Sequence, residues 1–490
     1  MPGVRAKQKA PIPAPFANFP SPRAELARPR LDFREVSANI DINNQLGEAM
    51  TGAAQRLESI RRVLMDVHER LRLDFGFQLW DGSTVPSGYP ASALAVRIAD
   101  ENVIAAMLRR PRADTLANLW AAARVDIVNG TIFDLVARRP KVRTRLLWKE
   151  LGKGAILDLL RRFVFLPRGG PWPLETIGED KPSDGSTKEN KANIAYHYDV
   201  SNAFYALWLD PDMVYTCSYF TDWGNSLHQS QLDKLEMVCR RLRLKPGDTL
   251  LDMGCGWGAL ACYAAQHYGV KARGVTLSEQ QVAFANEKIR RLGLQDRVVV
   301  ELGDVLQVQG TYDKIAAIGM QEHLGPANYA AYYAAAWRCL KPGGLFLHHA
   351  ITRPGKSAAA RGKRRRPEFA ALTRYIFPGG ELDYIGNTIT GLERQGFEIH
   401  DVEGWREHYQ RTCRHWHDNL IANWDAAVAE VGAPKARIWL IYLAACSITF
   451  ERNNCGLYQT LSSKRVRGPT GLPSTRADLY RGDWAYRENG

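Results

Sequence analysis

The sequence has no long apolar run of the kind that builds a membrane-spanning helix. No stretch of its 490 residues approaches the roughly eighteen uninterrupted apolar residues that such a helix needs. The N-terminus carries basic residues but no apolar core, so it does not resemble a secretory signal peptide. These absences exclude the common membrane-spanning and secreted classes from the expectation.

Cysteine is scarce and unevenly placed. All eight cysteines lie at or beyond Cys217, and no pair has CxxC spacing. Structural disulfides and zinc sites are therefore not expected, and we predict no metal site. A reducing cytoplasm is the simplest compartment for such a chain.

Acidic residues are outnumbered by basic ones, 52 to 65, which gives a formal net charge of +13. Such an excess favours anionic partners, nucleic acid and lipid among them. No RNA- or DNA-binding motif is recognisable in the sequence, so we do not expect nucleic acid as a partner. The densest basic run, Lys356–Arg366, is either a solvated loop or a contact to an anionic membrane, and charge alone does not choose.

Composition divides the chain into four segments. Residues 1–34 are rich in Pro, Ala and Arg and lack periodicity, which predicts a disordered tail. Residues 40–150 predict a small N-terminal α+β domain, and residues 151–191 predict a hinge helix and a linker rich in Pro, Gly and Ser. The large catalytic domain is expected over residues 192–480.

Apolar spacing outlines the two smaller segments. Helical spacing runs over Leu57–Leu73 and Thr115–Leu135, and strands are predicted at Phe75–Leu79 and Leu94–Ile98. The helix predicted at Ala155–Leu166 either docks between domains or touches a bilayer interface. Nothing in these segments suggests chemistry.

The most informative motif is TLLDMGCGWG at Thr249–Gly258. An apolar strand ends in Asp252, a turn containing Gly254 and Gly256 follows, and a helix comes next. Glycines permit a sharp bend and let a ligand approach without an obstructing Cβ. The G-x-G-x-G spacing differs from the dinucleotide fingerprint G-x-G-x-x-G. Such a turn at the end of a parallel strand predicts a nucleotide-like cofactor site.

The segments after this turn alternate between strand and helix patterns. Further strands are predicted at Ala272–Thr276, Val298–Leu302, Tyr312–Gly319 and Leu345–Ile351, and helices at Glu279–Leu292 and Tyr329–Leu340. An antiparallel addition is expected near Glu398–Val402 and Gly456–Ser463. The pattern predicts an α/β fold with a mostly parallel, seven-stranded sheet and helices on both faces.

Several ordered motifs point to one family. Tyr196–Tyr205 reads YHYDVSNAFY and Tyr215–Phe220 reads YTCSYF; GVTLSEQQ, QEHLGPANY, LKPGGLFLHH and RYIFPGG follow the glycine turn. Over roughly Ile194 to Arg465 this series resembles the cyclopropane-fatty-acyl-phospholipid synthase family, which includes the mycolic acid cyclopropane synthases. The resemblance implies a Rossmann-like methyltransferase domain with S-adenosyl-L-methionine (SAM) as its cofactor.

The resemblance also implies a reaction. The SAM methyl carbon is transferred to a cis double bond of an unsaturated phospholipid acyl chain, and a cyclopropane ring is closed. Attack by the olefin leaves a carbocation on the chain, which water would capture, so the pocket must be dry and apolar. The family resemblance implies a bound bicarbonate ion as the base that removes a proton from the new methyl group.

Five residues match the family's bicarbonate site. They are Cys217, Glu322, His349, Ile351 through its backbone, and Tyr409. Other interpretations stay open: Cys217 as a small buried apolar residue, Glu322 as a helix cap, and Tyr409 as an ordinary aromatic of an amphipathic helix. His348 should point to the opposite face of its strand, and a register error of one residue would exchange it with His349.

Ten residues match the family's SAM contacts. They are Tyr215 and Thr216 at the amino-acid end, Asp252, Gly254 and Gly256 along the methionine portion, Thr276, Leu277 and Gln281 where many SAM enzymes hold the ribose, and Asp304 and Val305 beside the adenine. Gln321 departs from the family, in which an aromatic or apolar residue is common before the glutamate. Whether that departure alters the floor of the cofactor or acyl pocket stays open at this point.

The implied substrate is an unsaturated phospholipid at an anionic membrane surface. We therefore expect peripheral association with the inner face of the membrane, anchored by the basic run, and the family implies a homodimer. Changing the six basic residues of Lys356–Arg366 to Ser is predicted to weaken binding to anionic vesicles in a sedimentation assay. Equal binding by wild type and variant would refute this role.

Other functions remain open at this point. The carbocation can instead be reduced or lose a different proton, which gives methyl- or methylene-branched fatty acids. A SAM-dependent small-molecule methyltransferase would act on a soluble acceptor without lipid. A catalytically silent lipid-binding protein would bind SAM without turnover.

Overall fold

The structure, a computed structural model, describes residues 52–140, 153–174, 200–355, 376, 382–482 and 484. The predicted N-terminal tail, much of the linker, the basic run Lys356–Arg366 and most of RYIFPGG lie outside the described residues. From Arg56 onward the described residues belong to one compact unit.

The first part of this unit contains a small mixed sheet. Its elements are α1 (Gly52–Leu71), β1 (Gly76–Gln78), β2 (Thr84–Val85), β3 (Ala95–Ile98), α2 (Asn102–Arg109), α3 (Ala113–Ala121), β4 (Val125–Val128), α4 (Ile132–Ala137) and α5 (Lys153–Phe163). The strand order is β2-β1-β3-β4, with β1 and β3 parallel. Ile60, Leu79 and Phe163 are among the residues buried in the core beside this sheet.

One sequence expectation for this region is wrong. Thr115–Leu135 is not a continuous helical stretch: α3 ends at Ala121, and β4 follows. Ala123 has a positive φ of 54°, a conformation that breaks a helix. The β-branched residues of Val125–Val128 then pair antiparallel with β3, so tertiary pairing overrides the helical spacing.

The large sheet follows in the chain. Its elements are α6 (Asn202–Ala206), α7 (Leu227–Arg241), β5 (Thr249–Met253), α8 (Ala259–Tyr268), β6 (Lys271–Thr276), α9 (Glu279–Arg291), β7 (Val298–Leu302), β8 (Tyr312–Ile318), α10 (Tyr329–Cys339), β9 (Leu340–Thr352), α11 (Ile385–Gln395), β10 (Phe397–Gly404), α12 (Arg406–Ala422), α13 (Trp424–Val431), α14 (Ala433–Glu451) and β11 (Gly456–Lys464). Short 3-10 turns lie at Gln321–His323, Pro326–Asn328 and Ala477–Tyr480.

The seven strands run in the order β10-β11-β9-β8-β5-β6-β7. Neighbours from β9 to β7 are parallel, and β11 is antiparallel to both β9 and β10. The predicted fold class is confirmed. One boundary differs: β9 begins at Leu340, so the KPGG motif lies inside the strand, where the pairing with β8 shifts register.

Alternating side chains of the strands fill two separate cores, one on each face of the sheet. Leu250 belongs to the core that contains α7, α8 and α9, whereas the adjacent Leu251 belongs to the core that contains α10 and α11. This alternation follows from the two-residue period of a strand. Both faces are covered, as a mostly parallel sheet requires.

A third core lies beyond the carboxyl ends of the parallel strands. It is built largely from aromatic residues of α6, α12 and α14, with Trp208, Trp405 and Trp416 buried. This aromatic core forms a wall beside the sheet edge where a parallel-sheet protein binds its ligand.

Within the part of the chain that the structure describes, no helix is long and apolar enough to cross a bilayer.

Candidate active site

A cleft opens at the carboxyl ends of β5, β6 and β8 and encloses about 1180 Å³, its mouth included. Its walls contain most of the predicted site residues. The predicted residues that line it are Tyr215, Thr216, Asp252, Gly254, Gly256, Thr276, Leu277, Gln281, Val305, Glu322, Ile351 and Tyr409. Cys217, His349 and Asp304 are not among the lining residues.

The glycine turn has the conformation that its sequence predicts. Gly254, Gly256 and Gly258 have φ values of +82°, +54° and +80°, which side chains rarely tolerate. The amides of Gly254 and Cys255 both donate to the carbonyl of Val275, at 3.0 and 3.1 Å, and so fix the turn to β6. A Cβ on Gly256 would meet no protein atom within 4 Å, so this glycine leaves open space at the cleft wall.

The residues after β6 supply a directed hydrogen-bond donor. Thr276 donates its hydroxyl to Oε1 of Gln281 at 2.5 Å, and Ser278 caps α9 by accepting from the Gln281 amide. The side-chain nitrogen of Gln281 is thereby left to act as a donor. Beyond β7, Asp304 accepts from the Leu306 amide at 2.9 Å, and its neighbours Gly303 and Val305 line the cleft.

Two buried residues of opposite charge, Asp252 and Lys234, line the cleft, and each influences the pKa of the other. Burial raises the pKa of Asp252 to about 7, opposed by the positive charge of Lys234. Burial lowers the pKa of Lys234 to about 8, opposed by Asp210 and Asp252. Lys234 was missed from the sequence because a lysine on an amphipathic helix predicts a solvated side chain. Lys234 lies on the same side of α7 as the buried residues of that helix, and this position was the signal that could have indicated a buried lysine.

Glu322 is 4 % exposed and is held by the main chain of β9. Its Oε1 accepts from the Ile351 amide at 2.6 Å, whereas its Oε2 is buried and has no hydrogen-bond partner among the described residues. Burial raises the pKa of Glu322 to about 7, and the Ile351 hydrogen bond opposes the rise. A buried carboxylate oxygen without a partner is costly, and such an atom marks a place for a missing donor.

The register of β9 separates the two adjacent histidines. His348 is bonded on both ring nitrogens, to Tyr332 at 3.1 Å and to Gln321 at 2.8 Å, on the side of α10. His349 points to the other face, where its Nδ1 lies 3.0 Å from Nε2 of Gln459 and its Nε2 has no partner within the described part of the chain. Burial holds the pKa of His349 well below its ordinary value, so its ring is neutral.

Cys217 lies behind the cleft wall. The thiol is fully buried and donates to the Ser218 carbonyl at 3.1 Å, with the Trp405 carbonyl at 3.8 Å. Burial raises the pKa of the thiol well above its ordinary value. A thiol kept neutral in this way is not a nucleophile.

Two tyrosines from the C-terminal helices complete the apolar side of the cleft. Tyr409 of α12 stacks on Phe450 with ring centroids 4.6 Å apart, and Tyr442 of α14 lines the same wall. Burial holds the pKa of both phenols far above the ordinary value, so both are neutral. Tyr442 was missed from the sequence because α14 is apolar around its whole circumference, which hides any single face.

Gln321 has a structural role that explains its departure from the expected aromatic residue. Its Oε1 accepts from Tyr333 at 3.0 Å and contacts His348, and its Nε2 donates to Thr388 at 3.3 Å. These partners lie away from the cleft, and Gln321 is not a lining residue. Gln321 therefore serves its hydrogen-bond partners and does not itself form the wall of the cleft.

The geometry fits a cofactor with a nucleoside and an amino-acid end. Gly256 leaves room for close approach, and Gln281 offers a donor. Asp252 and Lys234 offer one charge of each sign for a zwitterion. Glu322 and Ile351 lie in the same cleft and line a neighbouring part of its wall. The wall of the cleft thus combines polar groups that suit a cofactor with aromatic side chains that suit an apolar substrate.

Comparisons with known proteins agree with this geometry. The family model for mycolic acid cyclopropane synthetase matches residues 185–460. A probable fatty acid methyltransferase of Pseudomonas putida is 35% identical over 428 residues, which cover 87% of this chain and 100% of that protein. The cyclopropane-fatty-acyl-phospholipid synthase of Escherichia coli K12 is 35% identical over 272 residues, 55% of this chain and 67% of that protein.

A solved structure shows the same fold. The mycolic acid cyclopropane synthase CmaA1, crystallised with SAH and CTAB, superposes with a TM-score of 0.53 at 32% identity and covers 56% of this chain and 98% of its own. All residues that line the cleft lie within residues 185–460, the range that the family model matches. The chain therefore belongs to the mycolic acid cyclopropane synthetase family of SAM-dependent, lipid-modifying methyltransferases.

Proposed function

We propose that this chain transfers the SAM methyl carbon to the cis double bond of an unsaturated phospholipid acyl chain and closes a cyclopropane ring there. The observation that carries the proposal is Glu322. Its carboxylate is anchored by the Ile351 amide and keeps one buried oxygen free beside an aromatic wall. A reaction that passes through a carbocation and ends with loss of a proton needs such a dry pocket with one polar point.

SAM supplies an electrophilic methyl carbon when it is bound. The protein holds the olefin against that carbon and excludes water, which would otherwise capture the cation that forms on the acyl chain. Tyr215, Tyr409 and Tyr442 line the cleft, and burial holds the pKa of Tyr409 and Tyr442 far above the ordinary value, so those two hydroxyls are neutral. The electron-rich faces of aromatic rings stabilise a nearby cation without bonding to it.

Glu322 and His349 would hold a bicarbonate ion, which would supply the base for removal of the proton. Each residue has one buried polar atom that no described residue bonds, Oε2 of Glu322 and Nε2 of His349. If the Gln459 amide donates to Nδ1, the His349 proton is on Nε2, which is then a donor. One acceptor and one donor match an anion that has both a hydroxyl and negatively charged oxygens. Because Ile351 already donates its amide to Glu322, that amide is assigned to positioning Glu322.

Product analysis tests the reaction. The purified protein is incubated with SAM carrying a ¹³C methyl group and vesicles of mono-unsaturated phosphatidylglycerol, and the lipids are examined by NMR. We expect ring-methylene protons from the labelled carbon. Methyl- or methylene-branched products would favour the second candidate, which the name of the Pseudomonas putida relative, probable fatty acid methyltransferase, supports. Labelling of no acyl chain would contradict both.

The adjacent histidines provide a matched pair of variants. His349→Asn is expected to lower kcat by about 10- to 100-fold with little change in stability, because its ring has one hydrogen-bond partner among the described residues and its Nε2 is the atom assigned to the bicarbonate ion. His348→Asn breaks hydrogen bonds to Gln321 and Tyr332 and should cost about 1–3 kcal/mol of stability. Steady-state kinetics and urea unfolding measure the two effects. Equal loss of activity per folded molecule in both variants would contradict the assignment.

Docking on an anionic membrane is supported by one helix. The inner face of α5 buries Leu159 and Phe163, whereas Leu157 of the helix and Phe165 in the turn after it are 57% and 90% exposed. Arg161 lies between these two at helical spacing and is exposed. Apolar side chains interleaved with basic ones fit the interface of an anionic bilayer.

The double variant Leu157→Ser with Phe165→Ser is expected to bind vesicles of anionic phospholipid at least about 10-fold more weakly, since each side chain loses part of its transfer free energy into the interface. Vesicle sedimentation measures the partition. Val299→Ser is the matched control, because Val299 is also exposed, at 54%, but lies on β7 of the large sheet. Unchanged binding of the double variant would remove this surface from the proposal.

A further inference from the structure

Lys234 is a buried cation in the wall of the cleft. It lies on α7 and is 3% exposed, and its Nζ donates to the Thr216 hydroxyl at 3.2 Å. Thr216 and Tyr215 also line the cleft. Two of the three ammonium protons therefore remain for other acceptors.

Among the residues that the structure describes, no carboxylate pairs with this ammonium. Within the described ranges, no Asp or Glu oxygen lies within 4 Å of Nζ of Lys234. Asp210, one of the carboxylates that acts on it from further away, accepts from the amides of Asp212 and Val214. A buried ion without a close partner costs several kcal/mol, which a bound ligand of opposite charge would offset.

The ligand of this cleft has one negative group. SAM carries a carboxylate and an α-ammonium at its amino-acid end, besides the positive sulfonium. The cleft offers one buried cation, Lys234, and one buried carboxylate, Asp252, at the end of β5. With burial the pKa of Lys234 is about 8, so the side chain is mostly charged at neutral pH.

We propose that Lys234 binds the carboxylate of the cofactor's amino-acid end, while Asp252 serves its ammonium. Thr216 holds the lysine in place through the hydrogen bond to its hydroxyl. The proposal rests on the use of SAM and is independent of which acyl product forms. It adds a cofactor-binding residue from α7 to those that the glycine turn and β6 provide.

The test uses two ligands and calorimetry, with no acyl substrate. One ligand is S-adenosylhomocysteine (SAH), and the other is the same thioether without its carboxylate, S-adenosyl-3-thiopropylamine. Wild type is expected to bind SAH at least about 30-fold more tightly than the decarboxylated ligand, as loss of a buried charge pair predicts. Lys234→Met is expected to bind both ligands equally, having lost affinity for SAH alone.

Two further variants keep the test decisive. Lys288→Met is the matched control: Lys288 is also a buried lysine, but it pairs with Asp212 at 2.5 Å and does not line the cleft, so discrimination should persist. Lys234→Gln replaces Lys234→Met if the latter does not fold, as judged by circular dichroism. An equal loss of affinity for both ligands in the Lys234 variants, or undiminished discrimination, would overturn the proposal. Neither result depends on whether the protein closes a ring.

Discussion

Glu322→Gln is expected to lower kcat by about 100-fold or more while SAH binding changes little, as removal of a group that serves proton transfer predicts. The amide oxygen can still accept from the Ile351 amide, so the local fold is kept. The acceptor at Oε2 becomes a donor and no longer receives the hydroxyl of the assigned bicarbonate ion. Initial rates with vesicles, together with calorimetry of SAH, measure the two quantities.

The same variant is expected to be more stable than wild type at high pH. Burial raises the pKa of Glu322 from 4.5 to about 7, so the folded state disfavours its ionised form. The resulting penalty is absent well below pH 4.5, grows as the pH rises toward 7 and is constant above it. Glu322→Gln should therefore add about 3 kcal/mol at pH 8 and under about 1 kcal/mol at pH 5.

Glu236→Gln is the matched control for the direction of this change in stability. Glu236 is also a fully buried glutamate, but its oxygens accept from Arg240, Tyr263 and Tyr268. Its replacement should lower stability at both pH values. Urea unfolding of the three proteins at pH 5 and pH 8 gives the comparison. Full activity of Glu322→Gln would remove it from the proton-transfer site, and an unchanged stability at pH 8 would contradict its raised pKa.

Gly256→Ala is expected to weaken SAH binding by at least about 100-fold, equivalent to about 3 kcal/mol. A Cβ there meets no protein atom within 4 Å and instead enters the space that the cofactor approaches. The positive φ of 54° adds a backbone cost of about 1–2 kcal/mol for any L-residue. Calorimetry separates the binding loss from the stability loss.

Gly247→Ala controls for the backbone cost. Gly247 has a φ of +87° and also has open space at its Cβ position, but it precedes β5 and does not line the cleft. Both variants should lose similar stability, and only Gly256→Ala should lose SAH affinity. Comparable SAH binding by the two variants would mean that the turn does not contact the cofactor closely.

The sheet and the turn were predictable because their signals are local. Gly254, Gly256 and Gly258 require positive φ, and the apolar strands of a parallel sheet end where turn residues begin. The observed element boundaries differ from the predicted ones where pairing with another strand determines them. Examples are the segment Thr115–Leu135 and the start of β9. Neither shift could be found from spacing, since each depends on a partner strand.

The site was predictable to the extent that its residues sit in motifs. Glu322 and Ile351 were placed by motif, but their hydrogen bond joins two strand ends distant in sequence. Lys234 and Tyr442 lie in helices whose patterns are ordinary, and only packing turns them toward the cleft. Cys217 was placed beside the site by resemblance, and its thiol points toward main-chain carbonyls behind the wall.

The position of β11 in the sheet has a consequence for the order in which the protein folds. This strand is the last of the seven in the chain, yet it lies between β9 and β10. Those two strands cannot be joined until it arrives, and pairings between distant segments form late because loop closure is slow. Gln459, the partner of His349, arrives with it. In a partly folded chain the glycine turn would therefore form before the catalytic site around His349. Such an intermediate would bind the methyl donor but would not catalyse methyl transfer.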